Sequence, residues 1–290
     1  MSAQPRTSLV DGDYVMTAED FRRIAAMLHS DSGIVMNGSK ATLVYSRLAK
    51  RLRSLGLESF RDYCALVAGG EGGDERQHML SALTTNLTRF FREPHHFDDL
   101  RTRVLPRLVE RARRGERVRV WSAGCSNGAE PYSIGMTILD ALPDAPSRDV
   151  RVLATDIDFR MVQAARDGDY DAGQAQGLEV QAAGRWMRAR PPAEGAGWRA
   201  GEELRALVAF RELNLLDAWP MQGRFDAIFC RNVCIYFDEP TQEGLWSRFA
   251  DRLAPGGTLY IGHSERVAGE AQARLRNDGV TTYRLAEGAR

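Results

Sequence analysis

The stretch Val118-Arg-Val-Trp-Ser-Ala-Gly-Cys-Ser-Asn-Gly-Ala-Glu130 decides how this chain is read. Val118 to Trp121 form a short apolar run and predict a strand. A turn of small residues, Ser122 to Gly128, comes next, and Glu130 opens a helix that extends to about Leu139. Strand, small-residue turn and helix in that order are the opening unit of a parallel α/β sheet. Small residues in the turn let the backbone approach a ligand closely. The next unit repeats the grammar, with a strand over 150–154 and a helix over 157–165. Apolar runs at 208–213, 225–230 and 258–261 continue it. Ligands of such sheets bind outside the carboxyl ends of the strands.

The chemistry of the first turn narrows the ligand. A dinucleotide site wants glycines at G-x-G-x-x-G spacing with a helix N-terminus facing the pyrophosphate. Here the turn is Ala-Gly-Cys-Ser-Asn-Gly, and the acid Glu130 follows at once. An acid there repels a pyrophosphate and attracts an ammonium group. S-adenosylmethionine carries an ammonium, a sulfonium and an adenosine but no phosphate, so the pattern favours it over NAD. Asp156, just past the second strand, is placed to accept from both ribose hydroxyls; its competing use is to cap the next helix. Asn214-Leu-Leu216, beyond the third strand, is placed for an adenine edge, or Asn214 is an ordinary strand-end asparagine. In Arg231-Asn-Val-Cys-Ile-Tyr-Phe237, after the fourth strand, Val233, Ile235 and Phe237 read as core. Asn232 and Tyr236 project polar ends at the binding edge.

Upstream, the period changes to that of helices. Thr17-Ala-Glu-Asp20 supplies a hydroxyl cap with acids in the first turn, and Phe21, Ile24, Ala25 and Leu28 follow at helical spacing up to Gly33. A second helix is predicted over 40–55 on the stripe Val44, Leu48, Leu52 and Leu55, stopped by Gly56. A third is expected over 57–67, a fourth over 75–83, and a longer one after Pro94. Lys40, Arg47 and Lys50 flank the stripe of the second helix, and Arg53 lies opposite it. They are either a solvated cationic face or a docking surface for an acidic partner.

The boundaries that follow are a tail over 1–14, a helical domain over 15–85, a linker and helix over 86–115, and an α/β domain over 116–290. The segment 167–205, rich in Gly, Ala and Arg, interrupts the alternation and reads as an insertion. Residues 271–285 read as two short strands joined by a turn at Asn277-Asp278-Gly279.

Composition excludes some classes. The 290 residues are 43% hydrophobic and 27% charged, and 39 Lys plus Arg balance 39 Asp plus Glu, so no global field points to nucleic acid. No apolar run reaches the length of a membrane span, and the first residues lack the apolar core of a signal peptide. A cytoplasmic monomer is expected. Cys64, Cys125, Cys230 and Cys234 are too scattered to suggest disulfides, and Cys230 with Cys234 lacks a second ligand pair, so no metal is expected.

At this point the residues resemble a known family. The run Leu83-Thr-Thr-Asn-Leu-Thr-Arg-Phe-Phe-Arg-Glu-Pro-His-His-Phe97 resembles the signature of the chemotaxis receptor methyltransferases of CheR type. Glu130-Pro-Tyr-Ser133, Ala154-Thr-Asp-Ile-Asp158, Phe225-Asp-Ala-Ile-Phe-Cys-Arg-Asn-Val233, Ile235-Tyr-Phe237 and Gly262-His-Ser-Glu265 occur in the family's order and spacing. The similarity spans roughly 21–284. It implies a Rossmann-like S-adenosylmethionine-dependent methyltransferase domain with a small β-subdomain at 167–205, behind an all-helical N-terminal domain. It implies methylation of glutamate side chains on the cytoplasmic helical domain of chemotaxis receptors, with S-adenosylhomocysteine as product.

Carried over by position, the resemblance makes Asn86, Thr88, Arg92, Glu130, Asp156, Asn214, Leu215, Arg231 and Asn232 cofactor contacts. Glu130 takes the amino group and Asp156 the ribose; Arg92 and Tyr236 flank the transferred methyl. Lys40, Arg47, Lys50 and Arg53 become the receptor-docking face. Two departures stand out: Ala129 where many members have a second acid, and a dissimilar insertion around Pro191-Pro-Ala-Glu-Gly-Ala-Gly197. The rival readings are a methyltransferase of the same fold with another acceptor, and a non-catalytic module that binds the cofactor.

Overall fold

The computed structural model describes residues 8–69, 72–175, 177–178, 184–191 and 195–286. The start of the expected N-terminal tail and part of the expected insertion lie outside the described residues. Backbone contacts divide the chain into two units: 1–85 with 236–238, and 86–235 with 239–290.

The first unit is helical, and each helix carries its own start and stop. Helix α1, Ala18–Ser32, begins with a full capping box, in which the Thr17 hydroxyl accepts from the Asp20 amide and Asp20 accepts from the Thr17 amide. It ends at Gly33 in the left-handed region. Helix α2, Ala41–Leu55, ends in the same way at Gly56. Helix α3, Phe60–Ala68, is capped by Ser59, which places its start three residues later than the apolar pattern suggests. Helix α4, Gly73–Leu83, completes the set. Ile24, Leu28, Val44, Leu48, Leu52, Phe60, Tyr63, Val67 and Met79 make one closed core. Inside it, Glu75 accepts from Arg51 Nε at 3.0 Å and from the Tyr63 hydroxyl at 2.9 Å, tying α2, α3 and α4 together.

The second unit opens with α5, Pro94–Asp99, which runs through a π-type turn, Leu100–Val104, into α6, Leu105–Arg113. The sheet strands are β1 Val118–Ala123, β2 Val150–Asp156, β6 Val208–Glu212, β7 Phe225–Cys230, β8 Leu253–Ile261, β9 Leu275–Gly279 and β10 Thr282–Leu285. Their order is β6-β2-β1-β7-β8-β10-β9, parallel except at β10 and β9. Helices α7, Ala129–Ala141, and α8, Phe159–Asp167, follow β1 and β2. The chain turns one way from β1 to β2 and the other way to β7. A crevice therefore opens at the carboxyl ends of β1, β2 and β7, where doubly wound sheets take ligands.

Inside the insertion, β3 Asp169–Asp171, β4 Met187–Ala189 and β5 Gly197–Ala200 pair antiparallel in the order β3-β5-β4. Helix α9, Glu202–Leu207, leads back to β6. Other features also differ from the sequence reading, among them Ile235, read as core but exposed. The last hairpin turns at Val280-Thr281 rather than at Asn277-Asp278-Gly279, which lies within β9; Thr281 takes the positive φ of 49° that the turn needs. Helix α10, Glu239–Arg252, has no counterpart in the apolar pattern, because its buried residues are only Leu245, Trp246, Phe249 and Ala250 amid polar neighbours. Among the described residues, no helix is long and apolar enough to cross a membrane.

The Glu75 carboxylate supports three helices, so Glu75→Ala should remove about 2–3 kcal/mol of stability by leaving Arg51 and Tyr63 without their acceptor. Urea unfolding followed by far-ultraviolet circular dichroism measures this loss.

Candidate active site

Three loops meet at the carboxyl ends of β1, β2 and β7. The loop after β1 carries Gly124 at φ 85° and Gly128 at φ 90°. A Cβ on Gly124 would sit 2.3 Å from Val233 Cγ2, so only glycine lets the first loop lie against the loop after β7. Ser126, at φ 48°, turns its amide onto Asp156 Oδ2 at 2.7 Å. Asp156 Oδ1 accepts from the Asp158 amide at 2.9 Å. The cap of α8 is Asp158, which accepts from the Arg160 amide, and this leaves the Asp156 carboxylate at the crevice. Burial pushes Asp156 up to about 6 despite those two amide bonds.

Glu130 stands in the first turn of α7. Its Oε1 accepts from the Ser122 hydroxyl at 2.7 Å and its Oε2 from Arg231 Nη1 at 3.1 Å. Burial again pushes the acid upward, against the Arg231 charge and the Ser122 bond. Arg231 itself is buried, with only 2% of its side chain exposed. Its guanidinium also reaches Glu93 Oε2 at 3.3 Å, donates to the Arg92 carbonyl, and lies over the Phe97 ring. Arg231 therefore backs the site through its ion pairs, with its donors already committed to protein acceptors.

The loop after β7 is held from behind by one carboxylate. Glu265, 3% exposed, accepts from the amides of Asn232 at 3.0 Å, Val233 at 2.9 Å and Cys234 at 2.7 Å, and from the amide of Gly262. This fixes Asn232 at φ 59°. A Cβ on Gly262 would come within 2.6 Å of the Asn232 amide nitrogen, so the two loops touch backbone to backbone.

The segment 86–93 approaches the same crevice within this unit. Asn86 Nδ2 donates to Asp158 Oδ2 at 2.7 Å, and the Asn86 carbonyl accepts from the Ser126 hydroxyl. Arg92 Nη1 donates to the Leu87 carbonyl at 2.9 Å. Leu87, Thr88, Arg92, Glu93 and His263 line a cavity of about 460 Å³. Glu93, at φ 56°, places Oε1 on the His263 Nδ1 and amide, at 2.8 and 3.2 Å. Glu93, His95 and His96 each bring a ligand-type atom within 4.8 Å of the others. The Arg231 guanidinium already shares the Glu93 carboxylate, which opposes a cation there.

The remaining expected residues are placed as follows. Asn214 folds its side chain onto the Leu216 amide at 3.0 Å, and Leu215 is buried beside it. Tyr236 belongs to the helical unit, where it packs on the core and its carbonyl accepts from the Val35 amide. Arg47, half-buried, donates to the carbonyls of Ala82, Leu83 and Thr84, the C-terminal carbonyls of α4. Its charge is therefore spent on capping a helix. Lys40 and Lys50 are exposed, and Arg53 reaches Asp13. Glu93, His263 and Glu265 carry the site's polar frame, yet the sequence reading gives them no role. Each has partners more than 30 residues away, which no local spacing encodes.

A family profile described as the CheR methyltransferase SAM-binding domain matches residues 86–284, and one described as the CheR methyltransferase all-alpha domain matches residues 19–84. The chain is 51% identical over 258 residues to a probable chemotaxis protein methyltransferase of Rhizobium etli, covering 89% of this chain and 96% of that one. It is 44% identical over 272 residues to the chemotaxis protein methyltransferase of Salmonella typhimurium, covering 92% and 90% of the two chains. The Escherichia coli protein of the same description is 44% identical over 271 residues, with 92% and 91% covered.

Removing the Glu265 carboxylate leaves four backbone donors without their acceptor. Glu265→Ala should therefore lower stability by at least about 3 kcal/mol, read as a fall in the urea midpoint at unchanged slope.

Proposed function

The chain belongs to the CheR methyltransferase family, and from that premise we propose that it transfers the methyl group of S-adenosylmethionine to glutamate side chains of chemotaxis receptors. The products are glutamate methyl esters and S-adenosylhomocysteine. The observation that carries this reading is the pair of acids at the carboxyl edge of the sheet, Glu130 in the first turn of α7 and the buried Asp156 at the end of β2. Glu130 stands where a dinucleotide fold would present its phosphate cradle, and Asp156 where such folds place the ribose acid. Among the described residues, Asp156 accepts from backbone amides, and the cation paired with Glu130, Arg231, is shared with Glu93. Both therefore suit a ligand that brings hydroxyls and an ammonium.

In this reading Glu130 holds the amino group and Asp156 the ribose. Asn86 and Thr88 close the near side, Asn214 and Leu215 the adenine side, and Asn232 the wall after β7. The bound donor supplies an electrophilic methyl on a sulfonium, whose thioether leaves readily. A glutamate acceptor is ionised near neutral pH, so the chain needs no general base. Its work is to align the carboxylate and keep water out, and alignment alone can contribute on the order of 7–11 kcal/mol. Arg92 steers the acceptor carboxylate and Tyr236 orients it. Lys40, just before α2, and Lys50 on α2 present positive charge to the acidic cytoplasmic helices of the receptor, which puts the enzyme in the cytoplasm.

The direct test is incubation with methyl-labelled donor and receptor cytoplasmic domains. Label that mild base releases as methanol is the expected result; base-stable label points to another acceptor. Tyr236→Phe should lower kcat about tenfold, the loss of one orienting hydrogen bond, with cofactor affinity unchanged.

Affinity for S-adenosylhomocysteine should also depend on pH with a definite sign. The ribose hydroxyls need an ionised acceptor, and burial holds Asp156 at about 6. Binding should thus be level above pH 7 and weaken as pH falls through 6. Calorimetry from pH 5 to 8 should show that fall, flattened in Asp156→Asn.

A further inference from the structure

Glu93 lies between the exposed ring of His263 and the buried guanidinium of Arg231. Arg231 faces two carboxylates, Glu93 Oε2 at 3.3 Å and Glu130 Oε2 at 3.1 Å. With both acids ionised, the three groups sum to one negative charge. Without Glu93 the same guanidinium would face Glu130 alone, and the sum would be zero. The chain accepts backbone strain to keep this arrangement, since Phe91 and Glu93 are both non-glycine residues at positive φ, 50° and 56°.

We propose that Glu93 is a positioning residue for the methyl donor: by holding one side of Arg231, it keeps Glu130 from being neutralised and so preserves the negative charge that receives the donor's ammonium group. This rests on the assignment of Glu130 to the ammonium and adds a residue that does not touch the donor. Burial raises Glu93, but the His263 bonds and the Arg231 charge outweigh it and hold the acid at about 2, ionised at any working pH. A glutamine at this position is unable to replace it. Its amide oxygen can accept either from His263 or from Arg231, and its amide nitrogen then opposes the other donor. The guanidinium is left to close on Glu130.

Two ligands separate this role from a merely structural one. S-adenosylhomocysteine carries the ammonium, whereas 5′-methylthioadenosine keeps the adenine, ribose and sulfur without the amino-acid portion. Calorimetry on the full chain should show Glu93→Gln raising the Kd for S-adenosylhomocysteine about tenfold or more, equal to 1.4 kcal/mol, with the Kd for 5′-methylthioadenosine unchanged. Glu93→Asp, which keeps the charge, should recover most of the loss. Equal weakening of both ligands, or no change in either, overturns the proposal. Glu130→Gln is the control for the assignment beneath it and should also weaken only the ammonium-bearing ligand. If Glu130→Gln has no such effect, the ammonium assignment fails and the role of Glu93 falls with it. If Glu130→Gln behaves as expected and Glu93→Gln does not, the role of Glu93 alone is wrong.

Discussion

One buried guanidinium organises the catalytic unit. Arg231 comes from the end of β7, yet its partners come from α7, from the turn before α5, and from the Arg92 backbone. A cation this far from water is tolerated only when its donors are met by acceptors and its charge by acids. That requirement fixes where Glu93 and Glu130 must lie, and therefore how the loops carrying them are shaped. The left-handed backbone at Phe91 and Glu93 is the local cost of satisfying it. Glu265 solves the complementary problem on the same loop. There a buried anion is met by four amides, and the chain needs no second cation.

In the proposed reading, the same arrangement suits a cationic donor. Two acids stand on the donor side of the sheet, and the fold supplies less positive charge than would neutralise them. Burial pushes both Glu130 and Asp156 upward, which means that each is short of stabilising partners as it stands. A ligand that brings hydroxyls to one and an ammonium to the other removes that deficit. A pyrophosphate would enlarge it. Ligand class is thus set by what the protein leaves unsatisfied as much as by what it offers.

Much of the fold was legible in the sequence because its signals are local. Thr17 starts a helix, Gly33 and Gly56 end helices, and Val44, Leu48 and Leu52 of the α2 stripe are buried, whereas Leu55 at its end is exposed. The parallel strands stand out as short apolar runs between helices. Where signals conflict, the reading failed. Asn277-Asp278-Gly279 is a strong turn sequence, but pairing with β10 draws it into a strand, and the turn moves to Val280-Thr281. Helix α10 buries too few residues in too polar a segment to show a stripe.

The site divides along the same line. The placement of Glu130 and Asp156 at the crevice was legible because each sits at a fixed offset from a strand end. Arg47 misled because a cation beside an apolar stripe looks the same in sequence whether it faces solvent or caps a neighbouring helix. Only the distance to the α4 carbonyls separates the two. Glu93 and Glu265 were illegible for a deeper reason. Their function is to restrain other side chains and loops, and such restraint is a property of pairs: Glu93 with Arg231 is 138 residues apart, and Glu265 with Asn232 is 33. A motif search finds the groups that meet the ligand, since ligand geometry constrains their spacing. The groups that hold those in place answer only to the fold, and buried charge is the means by which the three-dimensional structure reveals them.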